Sequence, residues 1–377
     1  MKKIKITIIG CGLIGGSIAL ALRHRRSDLS VVCLDLEDRL PAIREARVAD
    51  EVGTLDDAAS HLPESSIVLL ATPVQTILET LARIRPFLAE GTIVTDVGST
   101  KKRVMAEAQA LMPSGVHFIG GHPMAGSERS GVEAADPLLF SDRVYVLCPY
   151  QDTPPEALLL LMDLVESLLA RPITIDPEEH DRIMAMVSHL PQLIAVALMH
   201  AAQAEDATHT MLDTLAGRGF HDMTRLAASD YGVWEGVLET NKEAIRESLD
   251  RFVRSLSLLR DAMSKGNVAP IWEQAGRCRR KMGSESLTRL RKPDLRTMID
   301  RYDKQILSAL AHRMQAVRKI GDLKMKQAAP VLDPDRERRM ALQRGEWGKS
   351  LDLPQELIDK LFAVILEHSA RIQSAGP

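Results

Sequence analysis

The sequence predicts an α/β domain with a doubly wound parallel sheet at its N-terminal end, followed by two domains made of helices alone. Three observations lead there. Short β-rich runs at 4–9, 31–35, 66–73, 92–99 and 116–124 alternate with helical stretches, the pattern of a parallel sheet with crossover helices. Beyond about residue 176, Ala, Leu and Met recur in helical runs. Beyond about residue 291, apolar positions step by three and four nearly to the end of the chain. At 377 residues the chain is long enough for two or three cores, and we divide it at 1–172, 176–283 and 291–377.

The first element, IKITIIGCGLIGG at 4–16, is a strand followed by Gly10, Gly12 and Gly15 and then a helical stretch from Ser17 to His24. This is the dinucleotide fingerprint of a Rossmann-like domain. The first glycine permits the tight turn, the second lets backbone approach a pyrophosphate, and the third lets helix pack closely on strand. Leu13 and Ile14 lie between the glycines and open the helix whose N-terminus would face the phosphates. The second strand, VVCLD, ends in Asp35, 25 residues after Gly10. A carboxylate there accepts from a ribose 2′-hydroxyl and repels a 2′-phosphate, so NAD is expected rather than NADP. Met-Lys-Lys and the following apolar run imitate a secretory signal; the glycines within the run and Asp35 beyond it argue against that reading.

Ligands of such sheets bind beyond the carboxyl ends of the strands. The strands at 66–73, 92–99 and 116–124 therefore single out Thr72 and Pro73, Ser99 and Lys101, and His122. The run GGHPMAGSERSGVEAADPLLF, with TDVGSTK before it and SHLPQLIA and GFHDMTRLAASD after it, closely resembles the prephenate dehydrogenase family, and the resemblance covers nearly all of residues 1–280. It implies that His122 hydrogen-bonds the substrate's 4-hydroxyl and accepts its proton, with Ser99 assisting at the same hydroxyl. Arg225 would bind a substrate carboxylate, with Ser127 and Glu128 as near neighbours. His189 either orients a helix start or contacts cofactor or substrate. Gln192 departs from the family's common SHLPH and meets the substrate's side chain; with no acidic residue there for the ammonium of arogenate, prephenate is the expected substrate.

The middle domain combines core with a dimer interface, and KMGSESLTRLRKPD at 281–294 reads as a linker. The last 87 residues carry 17 Lys and Arg against 12 Asp and Glu in a chain whose net charge is −3. Their first helix, about Leu295 to Lys326, buries a stripe that includes Met298, Ile299, Tyr302, Ile306, Leu310, Met314, Val317 and Ile320. Arg313 and Lys324 are 11 residues apart, about three turns at ~3.6 residues per turn, so they share a side. Arg296 projects roughly 100° away, and a partner chain could supply it to that site. Asp333 caps a second helix that begins Pro334, Asp335, Arg336, Glu337. A third, from about Pro354 to Gln373, ends with Ser369 and Gln373 on one face.

The set Arg296, Arg313, Lys324, Asp333, Arg336, Glu337, Ser369 and Gln373 resembles, position by position, the active site of the all-helical chorismate mutases. The resemblance implies a three-helix domain in which Arg313 and the partner subunit's Arg296 clamp two carboxylates. Lys324 and Gln373 would donate to the ether oxygen as it gains charge, Glu337 would hold the ring hydroxyl, and Ser369 and Arg336 would support. The reaction is a unimolecular rearrangement, so positioning and charge placement suffice. Gln373, an amide, donates without needing acid.

The two implied chemistries are consecutive, since the mutase product is the dehydrogenase substrate. The reading is a bifunctional, NAD-dependent enzyme converting chorismate to prephenate and then to 4-hydroxyphenylpyruvate, on the route to tyrosine. Two alternatives are an arogenate-preferring dehydrogenase with the same mutase, and a dehydrogenase whose helical tail only oligomerises or binds an effector. A homodimer is expected. With 3% aromatic residues and no basic stripe, nucleic-acid binding is not. Four scattered cysteines give no metal or disulfide spacing. No segment beyond the N-terminus is read as a run of roughly 18 unbroken apolar residues, and the cytoplasm is the expected compartment. Only Ser374 to Pro377 follow the mutase helices, so no regulatory domain is expected there.

Overall fold

The computed structural model describes residues 4–126, 129–206, 211–288, 334–350 and 353–374, with single positions between Asp303 and Lys324. These fall into two compact units, Met1–Ala275 and Gly276–Pro377. The first is built on a sheet of β1 (Ile4–Ile9), β2 (Leu29–Leu34), β3 (Glu51–Gly53), β4 (Ile67–Leu70), β5 (Ile93–Asp96), β6 (His117–Pro123), β7 (Val144–Cys148) and β8 (Arg171–Thr174). Their order is β3-β2-β1-β4-β5-β6-β7-β8. Both faces are buried, and side chains alternate between them: Ile6, Ile8, Val31, Cys33, Ile67 and Leu69 join one core, and Ile9, Val32, Leu34, Val68 and Leu70 the other. Strands covered on both sides read as continuous apolar runs, which is why β1, β2, β4, β5 and β6 stand out in the sequence.

The sheet is parallel except where β7 runs antiparallel to β6, in register His122↔Val146 and Pro123↔Tyr145. The connection from β6 to β7 contains the short turn Val132–Ala134 and, just before β7, Asp142 with φ 60°. The strand-then-helix alternation expected from sequence breaks at this point. Connections run outward in both directions from the β1–β4 pair, so the ligand crevice of this topology opens there.

Asp176 starts the helical part, its side chain accepting from the backbone N–H groups of Glu178 and Glu179 at the head of Pro177–Met184. The backbone widens into a π-helical turn over Ala185–His189 and then continues as Leu190–Asp206. Insertions of this kind are frequent at functional sites. The continuous run Pro177–Gln203 contains a window of 18 residues with a mean hydropathy of 1.5, long and apolar enough by composition to cross a membrane. Reading for unbroken apolar runs passed over it because polar residues interrupt it. Four of those, His180, Asp181, His189 and Gln192, are buried inside the fold.

The helices Tyr231–Thr240 and Lys242–Ser264 follow. Side chains lash this bundle to the sheet domain. Thr100 and Thr240 share a hydroxyl hydrogen bond of 2.7 Å, Arg103 donates to Glu239 at 2.9 Å, and Gln75 donates to Glu239 at 2.6 Å. A further helix spans Ala269–Thr288. Residues 281–288, expected as linker, continue that helix, since Lys281, Met282, Glu285 and Leu287 are helix formers that offset one glycine; 289–294 lie outside the described residues.

In the second unit every described position from Asp303 to Lys324 is helical, followed by helices Pro334–Ser350 and Gln355–Ser374. Gly348 lets the last two meet, because a Cβ there would lie 1.9 Å from Ile358 Cδ1. Val317, Ile358 and Ile365 form the buried seam.

Candidate functional site

The loop after β1 is shaped as its glycines require. Gly10 has φ +93°, and a Cβ on it would meet Ala71 O and Thr72 Cγ2, both at 2.7 Å; one on Gly15 would lie 1.9 Å from Gly10 O. A Cβ on Gly12, by contrast, would meet nothing within 4 Å. Leu13 begins the helix and Ile14 follows it, so their backbone lies at the helix end that favours anions. Asp35, at the end of β2, accepts from Cys11 N at 2.6 Å and Leu36 N at 2.7 Å. Its carboxylate thus ties the second strand to the glycine loop. Arg39 Nη1 stands 3.8 Å from it, a cation the motif reading did not weigh. Thr72 Oγ1 is buried with no partner among the described residues, and Pro73 caps the helix Val74–Ile84 beside it. An open face at Gly12, a helix N-terminus, a carboxylate and a spare hydroxyl suit a dinucleotide.

A buried polar cluster lies at the ends of β5 and β6. Lys101 and Asp96, both fully buried, form an ion pair. Asp96 also accepts from Gly98 N at 2.8 Å and Gly121 N at 3.0 Å. His122 is buried in β6, and its Nδ1 lies 2.9 Å from Nε2 of His180. Nδ1 of His180 lies 2.8 Å from Oδ1 of Asp181. Asp181 in turn accepts from Lys101 N at 2.7 Å and Lys102 N at 2.9 Å. Burial above all, then His180, Lys101 and His189, hold His122 well below the usual histidine range. His189 stacks edge-on against Trp234 with ring centres 5.9 Å apart. Its Nδ1 lies 3.3 Å from Asn241 Nδ2, and burial lowers its pKa to about 4. Its Nε2 is buried without a partner among the described residues.

Gln192 donates to Leu226 O at 2.8 Å, in the turn Arg225–Ala228 that Arg225 begins. Sequence had placed Gln192 against substrate; here its amide nitrogen holds the arginine's turn, while Oε1 is buried and unpartnered among the described residues. Arg225 itself is exposed, and Ser99 is half-buried in the loop after β5. Ser127 and Glu128 lie outside the described residues.

Sequence reading missed His180, Asp181 and the Lys101–Asp96 pairing. Their one trace in the sequence is a histidine and an aspartate in adjacent positions, EEHDR, ahead of an apolar helical run, a pattern that reads equally as a solvated helix start.

In the second unit Arg313 Nη1 donates to Ser369 Oγ at 2.5 Å, and Ser369 donates to Ile365 O at 2.6 Å. Glu337 stands 3.8 Å from Arg344, whose guanidinium lies 4.6 Å over the Phe362 ring. Burial and then Arg344 lower the pKa of Arg313, while Glu337 opposes this. The predicted Arg313, Glu337 and Ser369 thus converge from three helices, joined by Arg344, which sequence did not single out. Lys324 is half-buried and helical, and Arg336 is exposed at the start of its helix. Arg296 and Asp333 lie outside the described residues, as does the side chain of Gln373. Among the described residues no group of three or more His, Cys, Asp or Glu is placed to hold a metal ion.

Residues 18–174 match the family "Prephenate dehydrogenase, nucleotide-binding domain", 176–274 match "Prephenate dehydrogenase, dimerization domain", and 295–374 match "Chorismate mutase type II". The prephenate dehydrogenase of Bacillus subtilis is 36% identical over 69% of this chain and 71% of its own length. The arogenate dehydrogenase of Synechocystis superposes with a TM-score of 0.65 at 31% identity, over 74% of this chain and all of that one (100%). The prephenate dehydrogenase of Aquifex aeolicus, solved with hydroxyphenyl propionate and NAD+, gives 0.70 at 27% over 75% and 99%. The chain therefore belongs to the prephenate dehydrogenase family and carries a chorismate mutase type II domain in the same polypeptide, an enzyme of both activities.

Proposed function

We propose that the helical C-terminal unit rearranges chorismate to prephenate, and that the N-terminal unit oxidises and decarboxylates prephenate to 4-hydroxyphenylpyruvate with His122 as the base. The observation that carries the second step is the buried His122, bonded through Nδ1 and held neutral by its surroundings. A neutral imidazole takes a hydroxyl proton at ordinary pH. Ser99 orients the hydroxyl, and Arg225, on the turn that Gln192 holds, binds a carboxylate. Removing the proton raises electron density on the oxygen, so the ring carbon gives up hydride and the ring carboxylate leaves as CO₂. NAD, held by the Gly10–Gly15 loop and Asp35, supplies the hydride acceptor. Prephenate is favoured over arogenate because Gln192, a neutral amide, offers no negative charge to an ammonium group.

In the mutase unit Arg313, steadied by Ser369, binds one carboxylate, and Arg296 of the partner subunit the other. Glu337 takes the ring hydroxyl, with Arg336 in support. Lys324 and Gln373 stabilise the ether oxygen as charge develops. The shared site implies a homodimer, as does a helical part whose Val187, Val196, Met199 and Tyr231 are exposed. Four free cysteines, three of them buried, fit a reducing cytoplasm.

The test supplies purified protein with chorismate alone and then adds NAD, following chorismate loss and NADH separately. Chorismate loss without NAD, and NADH only after its addition, is expected. If prephenate yields NADH while chorismate stays untouched, the C-terminal helices serve oligomerisation or effector binding instead.

A further inference from the structure

His122 has two ring nitrogens, and what the base can do depends on which one carries the proton. With His180 uncharged at rest, the surrounding hydrogen bonds leave one answer. Asp181 is bonded to backbone N–H groups at both oxygens, Oδ1 from Lys101 at 2.7 Å and Oδ2 from Lys102 at 2.9 Å. Two amide donors stabilise the ionised carboxylate, which is an acceptor only. The ring nitrogen facing Oδ1 at 2.8 Å, Nδ1 of His180, is therefore the protonated one. A neutral His180 with its hydrogen on Nδ1 offers a lone pair at Nε2. His122 Nδ1, 2.9 Å away, must then be the donor, and the lone pair of His122 sits on Nε2.

We infer that His180 and Asp181 are positioning residues of the dehydrogenase: the ordered chain Asp181–His180–His122 keeps Nε2 of His122 unprotonated and lends it a place to put the charge it acquires. This rests on the reading of His122 as the base. As substrate O–H breaks, an N–H bond forms at His122 Nε2. The hydrogen on His122 Nδ1 then crosses to His180 Nε2, so the positive charge settles beside the Asp181 carboxylate. When the carboxylate departs as CO₂ and the ring becomes aromatic, the transfers reverse and the proton returns to the ring oxygen. No proton is gained or lost by the enzyme over the turnover.

The arrangement also answers an electrostatic difficulty. His122 faces the ammonium of Lys101 as well as His180 and His189, and an imidazolium left on His122 would meet that ammonium in a dry site. Asp96 offsets Lys101, but its oxygens are already taken by Lys101, Gly98 and Gly121. Among the described residues Asp181 is the other carboxylate bonded into this chain, and it reaches His122 through His180.

The test compares His122→Asn, His180→Gln and Asp181→Asn in the full-length protein. Mutase turnover and NAD affinity in the same preparations report that each variant is folded. His180→Gln cannot carry an imidazolium, and Asp181→Asn offers His180 a donor where it needs an acceptor. Both should lower dehydrogenase kcat by ~10² or more, within the range of a general-base contribution, with prephenate KM little changed. Both should also displace the acid limb of the kcat–pH profile. A merely structural role would lower melting temperature or raise KM and leave that limb in place. If His122→Asn is inactive while His180→Gln and Asp181→Asn turn over near the wild-type rate with an unmoved profile, the chain has no such role and the base assignment stands. If His122→Asn itself turns over normally, the base assignment falls.

Discussion

His189 is neutral in the folded protein because burial lowers its pKa to about 4, against ~6.5 in an unfolded chain. The unfolded state therefore binds more protons between those values, and stability contributed above pH ~6.5 is lost as pH falls toward 4. His122, depressed by the same cause, adds to the loss. Melting curves of the dehydrogenase unit should drop between pH 7 and 5, and His189→Gln should flatten that drop; an equal drop in the variant would count against it. Lys101 is a second sensitive position. Lys101→Met leaves the buried Asp96 charge uncompensated and should cost about 3–5 kcal/mol in chemical denaturation. His122, Ser99 and Arg225 were legible in the sequence because each sits in a run with its own motif or at a strand's end. His180 was not, because a histidine among Glu178, Glu179, Asp181 and Arg182 looks like a solvated helix start. Only the tertiary fold shows that Asp181 turns inward to the backbone at Lys101 and Lys102.

At the level of elements, the glycine loop is crowded at Gly10 and Gly15 and open at Gly12. Gly15→Ala would drive a Cβ into Gly10 O and should lower stability by about 1–3 kcal/mol while weakening NAD binding, read by melting and by titration. Gly12→Ala meets no protein atom, so it should melt as the wild type yet bind NAD less tightly; equal affinity would mean that backbone does not approach the cofactor there. Five of the six inner strands announced themselves as apolar runs, since burial on both faces leaves no alternation to disguise them. β3 and β8 escaped notice because they are short edge or near-edge pieces of three and four residues. β7 was hidden by its direction, antiparallel to β6, and by the lack of a crossover helix before it among the described residues. In the second unit the helices Pro334–Ser350 and Gln355–Ser374 were legible, the first from Pro334, Arg336 and Glu337 at its start and the second from a run opening near Pro354. Arg344 was not, because its value lies in contacts with Glu337 and Phe362 that no spacing rule connects.

For the whole molecule, the placement of Arg296 a quarter-turn or so from Arg313 predicts active sites shared between subunits. Arg296→Ala and Arg313→Ala homodimers should each lack mutase activity, and mixing them with subunit exchange should restore part of it. Proven exchange without recovery would confine each site to one chain. Within the N-terminal unit, the ties between sheet domain and helical bundle have a kinetic consequence. Thr100 to Thr240, Gln75 and Arg103 to Glu239, and Lys101 and Lys102 to Asp181 pin the bundle beside the loop that follows β5. Large hinge opening would break all of them together, separating the Asp181 carboxylate from the amides of Lys101 and Lys102. Substrate entry therefore proceeds by local rearrangement, and the amides of Lys101 and Lys102 should exchange with deuterium only when the whole unit unfolds, as slowly as those of the central strands.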